Sequence, residues 1–258
     1  MRKILLTSVG VAALAVSANA TDFTLSGTSK LRVADDGNTS VANTINVGVS
    51  KTFDNGMVLS LSQNMNAASA EFTLTSDAIA VTFGDFDQNE KAPGLNGDSA
   101  ASDIGGDGIT HSSDAGGISL GATVAGMGIG AAMNNQGDTM FGGSFSSDMG
   151  GMAVTIGGDV YSDDNASLDQ TTMGIKAGLG ALTLVAHSKQ VEAAAGTDTV
   201  SYSAAYTAGG LVIGFQGNDA DASSYSATYT VVPGMQFEIG SQDNGTTSTS
   251  TAQLQMTF

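Results

Sequence analysis

The chain has 258 residues, among them 35 Gly, only 2 Pro and no Cys or Trp, and its 25 acidic against 8 basic side chains give a formal charge of −17. So acidic a chain repels phosphate backbones, which argues against a nucleic-acid partner. The lack of Cys excludes both a disulfide scaffold and a lipid-modified cysteine.

Arg2 and Lys3 precede an apolar run, Ile4 to Val16, and a small-residue end, Ala18-Asn19-Ala20. This is the pattern of a cleaved secretory signal and is too short to span a bilayer. Residues 1–20 are therefore expected to be removed, leaving a single mature domain, residues 21–258. Losing Arg2 and Lys3 leaves 6 basic residues against 25 acidic, a charge of −19. No later stretch approaches the about 18 consecutive apolar residues of a membrane helix. If the chain lives in a membrane it must cross as strands, because only helices and closed barrels satisfy every backbone group in lipid.

From Phe23 the odd positions read Phe23, Leu25, Gly27, Ser29, Leu31, Val33, and the even ones Thr24, Ser26, Thr28, Lys30, Arg32. Period two with one apolar and one polar face is the strand signature. The alternation returns in Ile45, Val47, Val49 and breaks at Asp54-Asn55-Gly56, a tight-hairpin signal. It recurs at Phe72 and Leu74; Ile79, Val81 and Phe83; Met152, Val154 and Ile156; Met173 and Ile175; and Leu182 and Leu184. Further on come Tyr202 and Tyr206; Leu211, Ile213 and Phe215; Tyr225 and Tyr229; and Phe237 and Ile239. Between Ile118 and Asn134 the apolar phase slips near Gly126, which reads as one bulged strand or two short ones; only the first is expected to keep the strand count even.

The breaks alternate as well. Short ones are expected at 54–56, 76–78, 114–117, 148–151, 178–181, 208–210 and 232–234, and longer polar ones at 35–42, 86–108, 162–169, 190–197, 218–222 and 243–248. Short turns at one end and long loops at the other are the layout of an antiparallel transmembrane β-barrel, here of about sixteen strands. The odd positions of 23–33 are expected to face lipid. The aromatic residues should then form two girdles, Phe23, Phe53, Phe145, Tyr206 and Phe258 at the short-turn rim, and Phe83, Phe141, Tyr161, Phe215 and Tyr225 at the other. The phase opposite the lipid face points Lys30, Arg32, Lys176, His187 and Lys189 into the lumen, where charge is cheap.

Catalytic signals are few. His111 and His187 are the only histidines, and neither an H-E-x-x-H nor a G-x-S-x-G pattern is present. Gly105-Gly106-Asp107-Gly108 resembles one unit of a calcium-binding repeat but does not recur in tandem. No catalytic residue, metal site or cofactor is expected. The competing classes are a secreted or surface acidic β-rich structural protein, which should show a fixed repeat, and an outer-membrane barrel with an enzymatic or adhesin role, which should carry larger or chemically richer loops.

The chain ends on a further run of alternation, Ala252-Gln253-Leu254-Gln255-Met256-Thr257-Phe258. This ending resembles the insertion signal of outer-membrane barrels. The mature start Asp22-Phe23-Thr24-Leu25-Ser26-Gly27 is similar to the opening of Gram-negative general porins, especially the alphaproteobacterial ones. Glu71 to Thr75 followed by Phe83-Gly84-Asp85 and a long loop resembles the hairpin before their constriction loop.

The resemblance covers essentially the whole mature chain. It implies a passive diffusion channel in the cell outer membrane for ions and small hydrophilic solutes, folded through the barrel assembly machinery with Phe258 as the recognition signal. It further implies that the third long loop, 86–108, folds into the lumen. Its carboxylates Asp87, Glu90, Asp98, Asp103 and Asp107 would then line the constriction and face the basic wall residues Lys30, Arg32, Lys176, His187 and Lys189. The acidic excess predicts a mild cation preference. The family implies a homotrimer, but the second long loop, around Asn66 to Ser69, is short for latching onto a neighbour, and the wall lacks an arginine cluster.

Overall fold

A computed structural model describes residues 21–65, 69–84, 117–162, 169–192 and 198–258. The strands in chain order are β1 Thr21–Ala34, β2 Thr39–Thr52, β3 Val58–Asn64, β4 Ser69–Thr75, β5 Ile79–Gly84, β6 Gly117–Val124, β7 Met127–Asn134 and β8 Thr139–Asp148. They continue as β9 Met152–Ser162, β10 Gln170–Leu179, β11 Leu182–Val191, β12 Thr199–Ala208, β13 Leu211–Asn218, β14 Ser223–Val232, β15 Met235–Asp243 and β16 Ser248–Thr257. Each pairs antiparallel with its sequence neighbours, and β1 pairs with β16, so the sheet closes as a sixteen-stranded barrel.

Cross-strand partners share a face, so the registers separate the two surfaces of the wall. One row runs Leu25, Val47 on β1 and β2, another Ile175, Ile156, Phe145 on β10, β9 and β8, and every exposed large apolar side chain within a regular strand has this phase. The opposite phase holds the buried polar residues, among them Thr82, Ser119, Thr172, Ser201, Ser226 and Gln253. The molecule is thus inverted relative to a water-soluble domain. Apolar groups cover the outside, where they need lipid, and the few buried apolar residues, such as Met140 and Tyr161, point inward.

The connections sort by end as the sequence implies. At one end are tight turns, such as 125–126 between β6 and β7. There Ala125 (φ 52) and Gly126 (φ 80) both occupy the left-handed region, as a two-residue turn matching strand twist requires. Residues 118–134 are therefore two strands with a turn, not one bulged strand. The count stays even because β5, ending at Gly84, pairs directly with β6, beginning at Gly117, so that β6 and β7 are two of sixteen strands. Residues 85–116 themselves lie outside the described residues.

The aromatic rings follow the expected heights with one exception. Phe23, Phe53, Phe145, Tyr206 and Phe258 sit at or near the tight-turn ends of their strands, and Phe83, Phe141, Phe215 and Tyr225 toward the other end. The Phe215 ring packs at a tilt, with centroids 5.8 Å from Tyr202 and 5.0 Å from Tyr225, on the outer face. Tyr161, by contrast, is 4% exposed and shares the inward phase of Asp159, so it belongs to the interior and to no girdle.

Closure depends on one close approach. The Phe258 N–H donates to the Gly27 carbonyl at 3.0 Å, and the Gly27 N–H donates to the Phe258 carbonyl at 2.9 Å. The Phe258 ring lies over Gly27, where any Cβ would overlap it.

The two-faced wall predicts opposite effects of one substitution. A lysine in place of the outward, mid-strand Ile156 should cost about 2–4 kcal/mol of folding free energy in lipid vesicles, and far less in place of the inward Ser144 on the neighbouring strand. Urea titration of the two variants measures this; equal losses would contradict the assigned faces.

Candidate functional site

In a barrel whose outer surface is apolar, soluble chemistry can meet only the inner wall and the loops. Strand alternation delivers every second residue there. The inner wall carries Lys30 and Arg32 from β1, Lys176 from β10, and His187 and Lys189 from β11, all five in the phase opposite the apolar face. It also carries carboxylates that sequence reasoning did not single out, Glu71 on β4, Asp159 on β9 and Glu238 on β15, with Asp22 and Asp148 in the same phase at the tight-turn ends of β1 and β8. The same alternation would have found them, since Glu71 is flanked by the outward Phe72 and Glu238 by the outward Phe237 and Ile239.

The basic groups do not form one cluster. Lys176, His187 and Lys189 occupy a two-strand patch, with His187 facing Gly174 across β10 and Ser201 across β12. Asp159 enters this patch through Thr172, which pairs with Asp159 on one side and Lys189 on the other. Lys30 and Arg32 stand on the far side, seven strands away from β10 through β16 and nine through β2.

The two sides also differ in what covers them. Along β5 to β14 the inward residues are largely buried: Thr82, Ser119, Asp159, Thr172, His187, Ser201, Gln216 and Ser226 are each at most 8% exposed. Along β15, β16 and β1 to β4 the inward side is mostly open or half-open, as at Gln236, Ser26, Arg32 and Ser62. Of the five basic wall residues, Arg32 is exposed, Lys30, Lys176 and Lys189 are half-buried, and His187 is buried. The loop carboxylates Asp87, Glu90, Asp98, Asp103 and Asp107 lie outside the described residues.

Hydrogen bonds order the open wall at the seam where the barrel closes. Arg32 donates from Nε at 3.2 Å and from Nη2 at 3.0 Å to Oε1 of Gln253, its partner across β1 and β16. Gln253 Nε2 in turn donates to Oε2 of Glu238 at a longer 3.4 Å. One register step along, Lys30 faces Gln255, which faces Gln236. Elsewhere the inner wall is held by hydroxyl pairs such as Ser146 with Thr155 at 2.8 Å. Among the described residues no group of three His, Cys, Asp or Glu side chains is placed to hold a metal ion.

No protein-family model and no curated protein sequence matches the chain. Solved structures do. A structure described under the asymmetric conductivity of engineered proteins superposes with a TM-score of 0.70 at 16% identity, over 93% of this chain and 100% of the other. A triple mutant of Rhodopseudomonas blastica porin gives 0.67 at 14%, with the same coverage of 93% and 100%. A form of that porin with two basic and two acidic residues replaced by alanine, among its substitutions, gives 0.67 at 15%, again over 93% and 100%. At these identities the likeness is one of fold.

The absence of native cysteine makes the uneven cover of the wall directly measurable. Single cysteines in place of Ser26 or Gln236, on the open side, should react with a water-soluble thiol reagent roughly tenfold or more faster than cysteines in place of Thr172 or Ser201. Equal rates, followed by mass spectrometry of the refolded barrel, would contradict the assignment.

Proposed function

We propose that this chain, which has the fold of the porins, is a passive diffusion channel for ions and small hydrophilic solutes in the cell outer membrane. The observation that carries the reading is the inner wall itself: rich in polar and charged side chains, covered along β5 to β14, and open along β15 to β4. A sixteen-stranded barrel is wide enough to leave an aqueous channel. Partial cover on one side is what a constriction leaves behind, and we assign that cover to the third long connection at the loop end, 85–116, folded inward.

Export by residues 1–20 as a cleaved signal, and assembly by the machinery that inserts outer-membrane barrels, belong to the same proposal. Phe258 would serve as its recognition signal. The bonds between Phe258 and Gly27 support a structural share in that role, since the terminal residue also fastens the last strand to the first. Deleting Phe258 should lower the yield of folded barrel in the outer membrane, read as heat-modifiable protein on a detergent gel; an undiminished yield would remove Phe258 from the assembly signal.

A mild cation preference follows from the charges at the narrowest section, because beyond about 8 Å at physiological ionic strength a fixed charge is largely hidden from a passing ion. On the wall, Lys30, Arg32, Lys176 and Lys189 are opposed by Glu71, Asp159 and Glu238. The proposed constriction adds Asp87, Glu90, Asp98, Asp103 and Asp107 against Lys91 alone. Replacing those five carboxylates by their amides should move the reversal potential across a salt gradient toward anion selectivity, and raising the salt should blunt the preference of the unmodified protein. Anion selectivity from the outset, or no change in the variant, would place the loop outside the pore.

A further inference from the structure

The seam between the last strand and the first carries an arrangement that the alternation of the wall does not require. Arg32 on β1 and Glu238 on β15 are separated by a whole strand, roughly 10 Å of backbone at the usual strand spacing. Between them stands Gln253 on β16, 3% exposed, bonded to both. Its amide can be oriented in only one way. With Oε1 toward the guanidinium and Nε2 toward the carboxylate, both contacts join a donor to an acceptor; reversed, NH2 would meet donor and oxygen would meet carboxylate. The two charges therefore fix the amide, and the amide holds the two charges at a set separation on the wall. Bonds to ionised groups are the strong kind.

Arg32 lies on the open side of the lumen, and two of its N–H groups are spent on Gln253 Oε1. A free arginine at that height would extend into the water and repel passing cations. A tethered one lies against the seam, with Glu238 two strands along in the same row.

Resting on the pore reading above, we infer that Gln253 is a positioning residue for ion selectivity, tying Arg32 to Glu238 so that the carboxylate offsets the guanidinium. Gln253 need not touch a permeating ion. It decides how much of the Arg32 charge the ion meets.

The test compares the contribution of Arg32 to the reversal potential in two backgrounds. In the unmodified barrel Arg32→Gln should shift it only slightly toward cation selectivity. In a Gln253→Thr background the same substitution should shift it considerably more, because the arginine has been released. Threonine is at home on this strand, where Thr249 and Thr251 share the inward phase, and heat-modifiable migration identifies variants that have folded. Should Gln253→Thr not fold, Gln253→Glu combined with Glu238→Gln supplies the second arm. It keeps one amide, one carboxylate and the net charge, and should return the native selectivity where Gln253→Glu alone does not. Equal Arg32 contributions in both backgrounds, or failure of the exchanged pair to restore selectivity, would overturn the inference. A native barrel that opens no channel would count against the pore reading alone. The tether is then read directly by NMR as hydrogen exchange of Arg32 Nε–H, expected to be about tenfold faster with Gln253→Thr, as the loss of one net hydrogen bond allows; unchanged exchange would overturn it.

Discussion

A strand edge inside a bilayer has no water to receive its backbone N–H and C=O groups, so a sheet that enters lipid must close on itself. Everything else in this molecule depends on that closure. It requires β1 to find β16 across the full length of the chain, and the register runs from Thr28 with Thr257 to Ala34 with Thr251. At its tight-turn end the pairing is finished by the Gly27 and Phe258 bonds, with the phenyl ring over the one residue that has no Cβ to obstruct it. At mid-height it is reinforced from inside by Arg32 and Gln253. The seam is thus fastened on both faces, by an apolar contact toward lipid and a charged one toward the lumen.

Closure also dictates what the wall can offer. Because side chains alternate, each strand gives half its residues to lipid and half to the interior, and a charge is cheap on the second half but costly on the first away from the strand ends. The inward phase carries mixed groups of charge, Arg32 with Glu238, and Lys176, His187 and Lys189 with Asp159, whereas Lys51, in the outward phase of β2, sits at its tight-turn end over the Phe53 ring. The interior therefore presents both signs on nearly opposite sides.

Much of this was legible in the sequence, for a physical reason. Strand phase is a local property, so the lumenal placement of Lys30, Arg32, Lys176, His187 and Lys189 could be read from their immediate neighbours. Tyr161 shows the same rule misapplied: Met152, Val154 and Ile156 set the outward phase of β9, and that phase puts Tyr161 inside with Met140. Residues 118–134 failed for a different cause, since glycine and alanine weaken the apolar contrast around Ala125-Gly126, and a turn and a bulge then look alike. What the sequence could not show was distance around the barrel. That the five basic residues divide between opposite walls, and that Gln253 stands between Arg32 and Glu238, depends on pairings between strands far apart in the chain.

On the proposed function, water crosses this barrel from end to end. Residues 21–258, refolded and added to a planar lipid bilayer, should insert in discrete steps of uniform single-channel conductance that rises in proportion to the bulk salt concentration, as ions moving through a water-filled section require. A folded, heat-modifiable barrel that inserts without any conductance would contradict it.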